Sequence, residues 1–161
     1  MAGKEISAEK YFLMYAYPCV GNLQHEKKIS KEDAENLENL LFENKTITRD
    51  YLEKCFPNAF RRIKTIAREM NKDYWDIEVL RNYWLSEHNR FIDLGDGDYA
   101  KATPAFKEVC KVHKAQVIEK SNNIIKVRYD NTIRKVFSKL IPDVKAGDEV
   151  TVHLAYAIEK I

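Results

Sequence analysis

Hydrophobic residues in the first half of the chain recur at three- and four-residue spacing, which is the pattern of amphipathic helices. The first helix is predicted from Ser7 to about Tyr17. Pro18 should end it, because proline disfavours helical geometry in the residue before it. Gly21 and Asn22 predict a loop. Further helix starts are predicted at Ser30, Thr48, Pro57 and Asp73. Short helices with brief connections are typical of a small helical bundle.

The pattern changes to strand-like alternation after a glycine- and aspartate-rich stretch, 93–98. Val109–Glu119 is a strand candidate, Ile125–Tyr129 alternates between apolar and basic residues, and Thr132–Phe137 is a third candidate. Several short strands with turns between them indicate a small closed barrel. The predicted division is a helical domain over 1–93, a linker over 94–107 and a β-barrel over 108–161.

The closing segment, 141–161, combines a tight turn with a clear strand. The turn is Lys145–Asp148, in which glycine tolerates a positive φ and aspartate can hydrogen-bond its own backbone. In the strand, Val150, Val152 and Leu154 alternate with Thr151 and His153. The alternation places the first three toward the core and the other two on the opposite face.

Composition restricts the class of protein. Of the 161 residues, 45% are apolar and 32% charged, and the net charge of +2 is too small to indicate a nucleic-acid partner by itself. No apolar run reaches membrane-spanning length and the N-terminus lacks a hydrophobic signal segment, so we expect a cytoplasmic protein with no membrane partner. The sequence contains no hydrolase or phosphate-binding motif, which indicates a protein that is not an enzyme.

Two of the residues in the β half could act together in metal chemistry. Cys110 begins the barrel segment and His153 lies near its end, and the first and last strands of a small barrel can lie side by side. A thiolate and an imidazole are ligands suited to iron or another transition metal. The alternative is that Cys110 packs in the core and His153 is a solvated surface residue, and spacing alone favours this alternative.

The same residues resemble a known family. Val109-Cys110-Lys111 falls where the HypC/HupF family has Met-Cys-Leu, and 152–157 falls where it has Val-His-x-Gly-Phe-Ala. Proteins of this family are small chaperones that help to assemble the iron centre of nickel–iron hydrogenases. The resemblance covers the last third of the chain and implies a HypC-like, OB-like barrel. Two departures are that Cys110 is internal rather than N-terminal, and that Lys114 stands where the family has proline.

The resemblance also implies roles for residues and partners. Cys110 would contact an iron intermediate or a client protein, and His153 would support that contact. Iron would be bound transiently, with no permanent cofactor, and the partner would be a maturation scaffold or a client enzyme. The helical half would supply a second docking surface or cover the barrel.

A basic helix is the other candidate site. Its cations are Arg61, Arg62, Lys64 and Arg68. A basic face of this kind can dock on phosphates or on a partner protein, although it is more often a solvated face. The β half lacks the aromatic stacking surface of an oligonucleotide-binding barrel, so we expect no nucleic-acid partner.

We therefore predict an α+β protein in which an N-terminal helical bundle precedes a small HypC-like barrel. The predicted function is that of a non-enzymatic accessory or chaperone protein for metal-centre assembly. The alternative is a divergent barrel-plus-helix adaptor that binds protein or nucleic acid and has no metal role.

Overall fold

The predicted fold class is confirmed: helices occupy the N-terminal half and a closed five-stranded β-barrel follows. The structure, a computed structural model, describes residues 5–161. Its contacts divide the chain into two compact units, of which the first ends at Glu87 and the second runs from His88 to Ile161.

The first unit is helical throughout its described part. Its α-helices are α1 (Ala8–Ala16), α2 (Val20–His25), α3 (Lys31–Phe42), α4 (Arg49–Cys55), α5 (Pro57–Met70) and α6 (Ile77–Asn82). A 3₁₀ helix, Tyr17–Cys19, joins α1 to α2, and a π-helix, Tyr83–Glu87, follows α6.

Polar caps define where several of these helices begin. The Ser7 hydroxyl accepts a hydrogen bond from the Lys10 amide at 3.1 Å, and the Ser30 hydroxyl accepts one from the Asp33 amide at 3.0 Å. Such caps pair amide groups that the helix itself leaves without partners. Thr48 and Pro57 also stand at the predicted helix starts.

Two local predictions in this half are wrong. Gly21 and Asn22 lie inside α2 rather than in a loop, because the chain passes Pro18 through the 3₁₀ helix and resumes helical geometry at once. The cap of α6 is Asp76 rather than Asp73, since the Asp76 carboxylate accepts from the Glu78 amide at 2.9 Å. Asp73 instead accepts a hydrogen bond from the Trp75 amide at 2.8 Å, in the turn before α6.

An aromatic cluster forms the core of the first unit, with Phe12 at its centre. Ring centroids lie 4.5 Å away in Phe60, 5.5 Å in Phe56, 5.7 Å in Trp84 and 6.1 Å in Trp75. Tilted and edge-on contacts of this kind add to the stabilisation that burial of large rings already provides. The helices of this unit are thus held together mainly by rings contributed from α1, α5 and the segment around α6.

The second unit combines two helices with the barrel. Its elements are α7 (His88–Asp93), a 3₁₀ helix (Gly97–Lys101), α8 (Pro104–Cys110), β1 (Val112–Ser121), β2 (Ile124–Tyr129), β3 (Thr132–Phe137), β4 (Glu149–His153) and β5 (Tyr156–Lys160). Val109 and Cys110 therefore end a helix rather than begin a strand. Thr103 caps α8 by accepting from the Phe106 amide at 3.2 Å, and Pro104 suits the first helical position.

The strand order around the barrel is β1-β2-β3-β5-β4, and β4 pairs with β1 to complete the circle. All of the pairings are antiparallel except β3 with β5, which is parallel and consists of one residue pair, Phe137 with Tyr156. The interior is filled by the inward aliphatic residues of the strands together with Ile141 and Val144 from the loop before β4.

The closing strand differs from its prediction in two ways. β4 ends at His153, because Leu154 takes a positive φ of 53° and turns the chain into β5. Thr151 and His153 are both buried, although they alternate with the core residues Val150 and Val152. Both faces of β4 are therefore covered, which alternation alone did not predict.

Candidate functional site

The barrel brings the Cys110 segment beside His153. Val112 on β1 pairs directly with His153 on β4 in the antiparallel register. Cys110, two residues before Val112, ends α8. Both candidate side chains are shielded from solvent, since Cys110 is 3% exposed and His153 is 0% exposed. The sequence suggested that the first and last strands are neighbours, whereas β1 pairs with β4, the last strand but one. The predicted roles of Cys110 and His153 stay predictions.

A second histidine contacts the first. The ring of His88, the first residue of α7, lies 5.0 Å from that of His153, at an interplanar angle of 79°. His88 is itself only 3% exposed. The sequence analysis assigned no role to His88. No local pattern could have identified it, because the contact depends on α7 folding back over β4.

Asn89 holds α7 against the first strand. Its side-chain amide nitrogen donates to the Val112 carbonyl at 2.8 Å, and its side-chain oxygen accepts from the Val112 amide at 2.8 Å. These two hydrogen bonds pair both the amide and the carbonyl of Val112, as a neighbouring strand would. They therefore fix the position of His88, the adjacent residue, relative to the β1–β4 ladder.

Charged and aromatic contacts fix the backbone on either side of Val112. The Lys111 ammonium lies 2.8 Å from the Asp93 carboxylate and 3.5 Å from that of Glu108. The hydrogen bond to Asp93, with the nearby carboxylate charges, raises the pKa of Lys111. On the other side, the His113 ring stacks on Tyr129 at 4.1 Å, and its Nε2 lies 2.8 Å from the Glu108 carbonyl oxygen.

The ligand set available here is small. Within residues 5–161, no group of three or more His, Cys, Asp or Glu side chains is arranged to hold a metal ion. Cys110 and His153 would thus be at most part of a coordination sphere.

The second predicted site lies on α5 and does not present its four cations on one open face. Arg62 is buried, whereas Arg61, Lys64 and Arg68 are exposed. The Lys64 ammonium lies 3.7 Å from the Glu53 carboxylate and 4.9 Å from the centroid of the Tyr74 ring. Part of the basic charge is therefore already engaged by neighbours in the first unit.

Comparison with known families places the resemblance on the barrel. The HupF/HypC family model matches residues 113–161, which confirms the predicted resemblance of the C-terminal third. The match begins just after Cys110 and includes His153 and all five strands almost completely. No curated protein shows a significant match to the chain. In the part of the chain that the structure describes, no helix is long and apolar enough to cross a membrane.

We expect Asn89→Ala to lower the free energy of unfolding by about 2 kcal/mol, because it leaves the buried amide and carbonyl of Val112 without partners. Asn89→Asp retains the acceptor and should lose less. Urea unfolding followed by circular dichroism measures both. Asn39→Ala, at an exposed position of α3, is the control and should change stability by less than about 0.5 kcal/mol. Equal effects of Asn89→Ala and Asn39→Ala would contradict the assigned role of Asn89.

We also expect the Cys110 thiol to react slowly with a thiol reagent in the native protein. The test uses a chain carrying Cys19→Ser and Cys55→Ser, in which Cys110 is the remaining thiol. Ellman's reagent should modify it at the rate of a free cysteine only after urea is added, since burial blocks the attack. Fast modification without denaturant would show that Cys110 is accessible in solution.

Proposed function

We propose that this chain is a non-enzymatic accessory protein whose barrel binds a protein partner during the assembly of a metal centre, as hydrogenase maturation chaperones do. The observation that carries the proposal is the HupF/HypC match over 113–161, which coincides with the closed barrel. Activity of this type needs a docking surface and a controlled contact with cargo. It does not need a catalytic constellation.

In this proposal, the iron intermediate is cargo that Cys110 and His153 contact after a partner has bound. Cys110 lies at the C-terminal end of a seven-residue helix, α8. Phe106 and Val109 of this helix are exposed, so a partner could bind the helix through these apolar side chains. Displacement of the end of α8 would uncover the thiol. Burial would then keep the cysteine unreactive until the correct partner arrives.

A second candidate function is a partner-binding adaptor without a metal role. Two observations favour it: the family match starts at His113, after the cysteine, and Cys110 is buried. In that case Cys110 and the two histidines are structural residues of the second unit, and the barrel serves only as a binding module for protein or nucleic acid.

The two functions predict different results when the tagged chain is purified anaerobically from its own host. Under the accessory function, wild type should bring down a metalloenzyme precursor or a maturation protein together with iron. Cys110→Ala and His153→Ala should abolish the iron, because each removes one ligand of the cargo. Mass spectrometry identifies the proteins, and elemental analysis measures the iron.

Cys55→Ala is the matched control, since Cys55 is also a buried cysteine and lies in the first unit, where burial raises the pKa of its thiol. Its iron content should equal that of wild type. Circular dichroism must show that all of the variants are folded. If the same partners elute with every variant and none contains iron, the adaptor function replaces the accessory function.

A further inference from the structure

The barrel has an open strand edge next to the single residue pair, Phe137 with Tyr156, that joins β3 to β5. β3 pairs with β2 along its whole length, from Thr132 to Phe137. On its other side it pairs with β5 through Phe137 alone. On the side away from β2, the N-terminal part of β3 therefore has no neighbouring strand among residues 5–161. Ile133 in this part is 55% exposed. An exposed edge of this kind is a template for an additional strand.

The direction of the unpaired backbone groups follows from one hydrogen bond. The Phe137 amide donates to the Ala155 carbonyl at 2.8 Å and so points away from β2. Backbone groups of alternate residues point to the same side of a strand, and the β2–β3 register has no bulge. The amides and carbonyls of Lys135 and Ile133 therefore point away from β2 as well, and they are available to an added chain.

The side chains around this edge are basic. Lys135 is exposed and lies directly opposite Lys126, and Arg128 lies opposite Ile133. Lys126 is 3.3 Å from Glu119, whereas Lys135 and Arg128 form no ion pair in the described part of the chain. The segment from His113 to Ile161 contains nine Lys and Arg residues and six Asp and Glu residues, so its net charge is positive. An acidic segment would complement this charge.

Arg134 adds an independent observation. Its Nε and one of its terminal nitrogens are buried and have no hydrogen-bond partner within residues 5–161, and its guanidinium lies 5.7 Å from the Tyr129 ring centroid. Buried donors of a charged group normally have acceptors. Arg134 lies on the face of β3 opposite to Ile133 and Lys135, so an acceptor from an added chain would come from the residues of that chain on this second face.

We infer that the edge of β3 binds an extended, acidic segment of a partner protein by strand addition, with its backbone paired to Ile133 and Lys135. Carboxylates of the segment would meet Lys135 on the face of β3 that it shares with Ile133, and the alternate side chains of the segment would lie on the face of Arg134. The site ends at Phe137, where β5 takes over the edge of β3. Phe137 is exposed and lines a cavity of about 470 Å³ over β2 and β3. This inference rests on the proposed partner-binding function and names the chemistry of the segment that the barrel recognises.

The test uses a fluorescein-labelled peptide of about six residues, the usual strand length, in which valine and glutamate alternate. Fluorescence polarisation measures its binding to the full chain, and a peptide with lysine in place of glutamate should not bind. Lys135→Glu should weaken binding about ten-fold or more, and Lys145→Glu, the same charge change in the loop before β4, should have little effect.

Lys135→Pro tests strand addition itself, because it removes an amide that points away from β2 and leaves the β2–β3 ladder intact. We expect it to weaken peptide binding about ten-fold or more. If this variant does not fold, amide exchange of the wild-type chain measured by NMR provides the same test. The Ile133 and Lys135 amides should exchange fast in the free protein and become protected when the peptide is added.

Any of these results would overturn the inference: no binding of the acidic peptide, equal binding by Lys135→Glu and Lys145→Glu, or peptide binding without protection of these two amides. A labelled oligothymidine that binds in place of the peptide and is lost in Lys135→Glu would also overturn it, in favour of a nucleic-acid site. None of these outcomes affects the iron test of the proposed function, because Cys110 and His153 lie outside β3. The two hypotheses can therefore fail separately.

Discussion

The shortest pairing in the barrel joins β3 to β5 and consists of one pair of residues. Phe137 and Tyr156 form the parallel contact between β3 and β5, and their ring centroids lie 5.4 Å apart. The β1–β2, β1–β4 and β2–β3 pairings are antiparallel ladders of five or six residue pairs, and the antiparallel β4–β5 pairing has three pairs with a register shift. So short a pairing between β3 and β5 leaves most of the outer edge of β3 without a neighbouring strand among residues 5–161.

The opposite side of the barrel is protected in another way. At β1 and β4, the side chain of Asn89 takes the place of a strand partner, and His88 covers His153. Buried polar groups that are hydrogen-bonded specify position more strictly than apolar contacts do. The two hydrogen bonds of Asn89 thus fix α7 against the strand that follows Cys110.

The sequence predicted the fold class, several helix starts and the positions of β2 and β3, because local chemistry determines them. Ser7, Ser30 and Pro57 define helix starts through caps and fixed backbone geometry, and alternation revealed β2. The prediction failed at Cys110, because the helix that Thr103 caps runs to Cys110, where the sequence predicted the start of a strand. It also missed His88 and the open edge of β3, because both depend on which segments meet in three dimensions. The HupF/HypC resemblance located the barrel and could not reveal that its cysteine is buried.

The most direct test of metal-centre assembly is to delete this chain from its host and to measure nickel–iron hydrogenase activity together with the iron content of the purified hydrogenase. The account predicts that both fall and that the wild-type chain restores them, because an accessory protein is needed when the centre is built. A chain that carries Cys110→Ala should fail to restore either. Unchanged activity and iron content after the deletion would contradict a role in hydrogenase assembly and would leave the barrel as a binding module for another purpose.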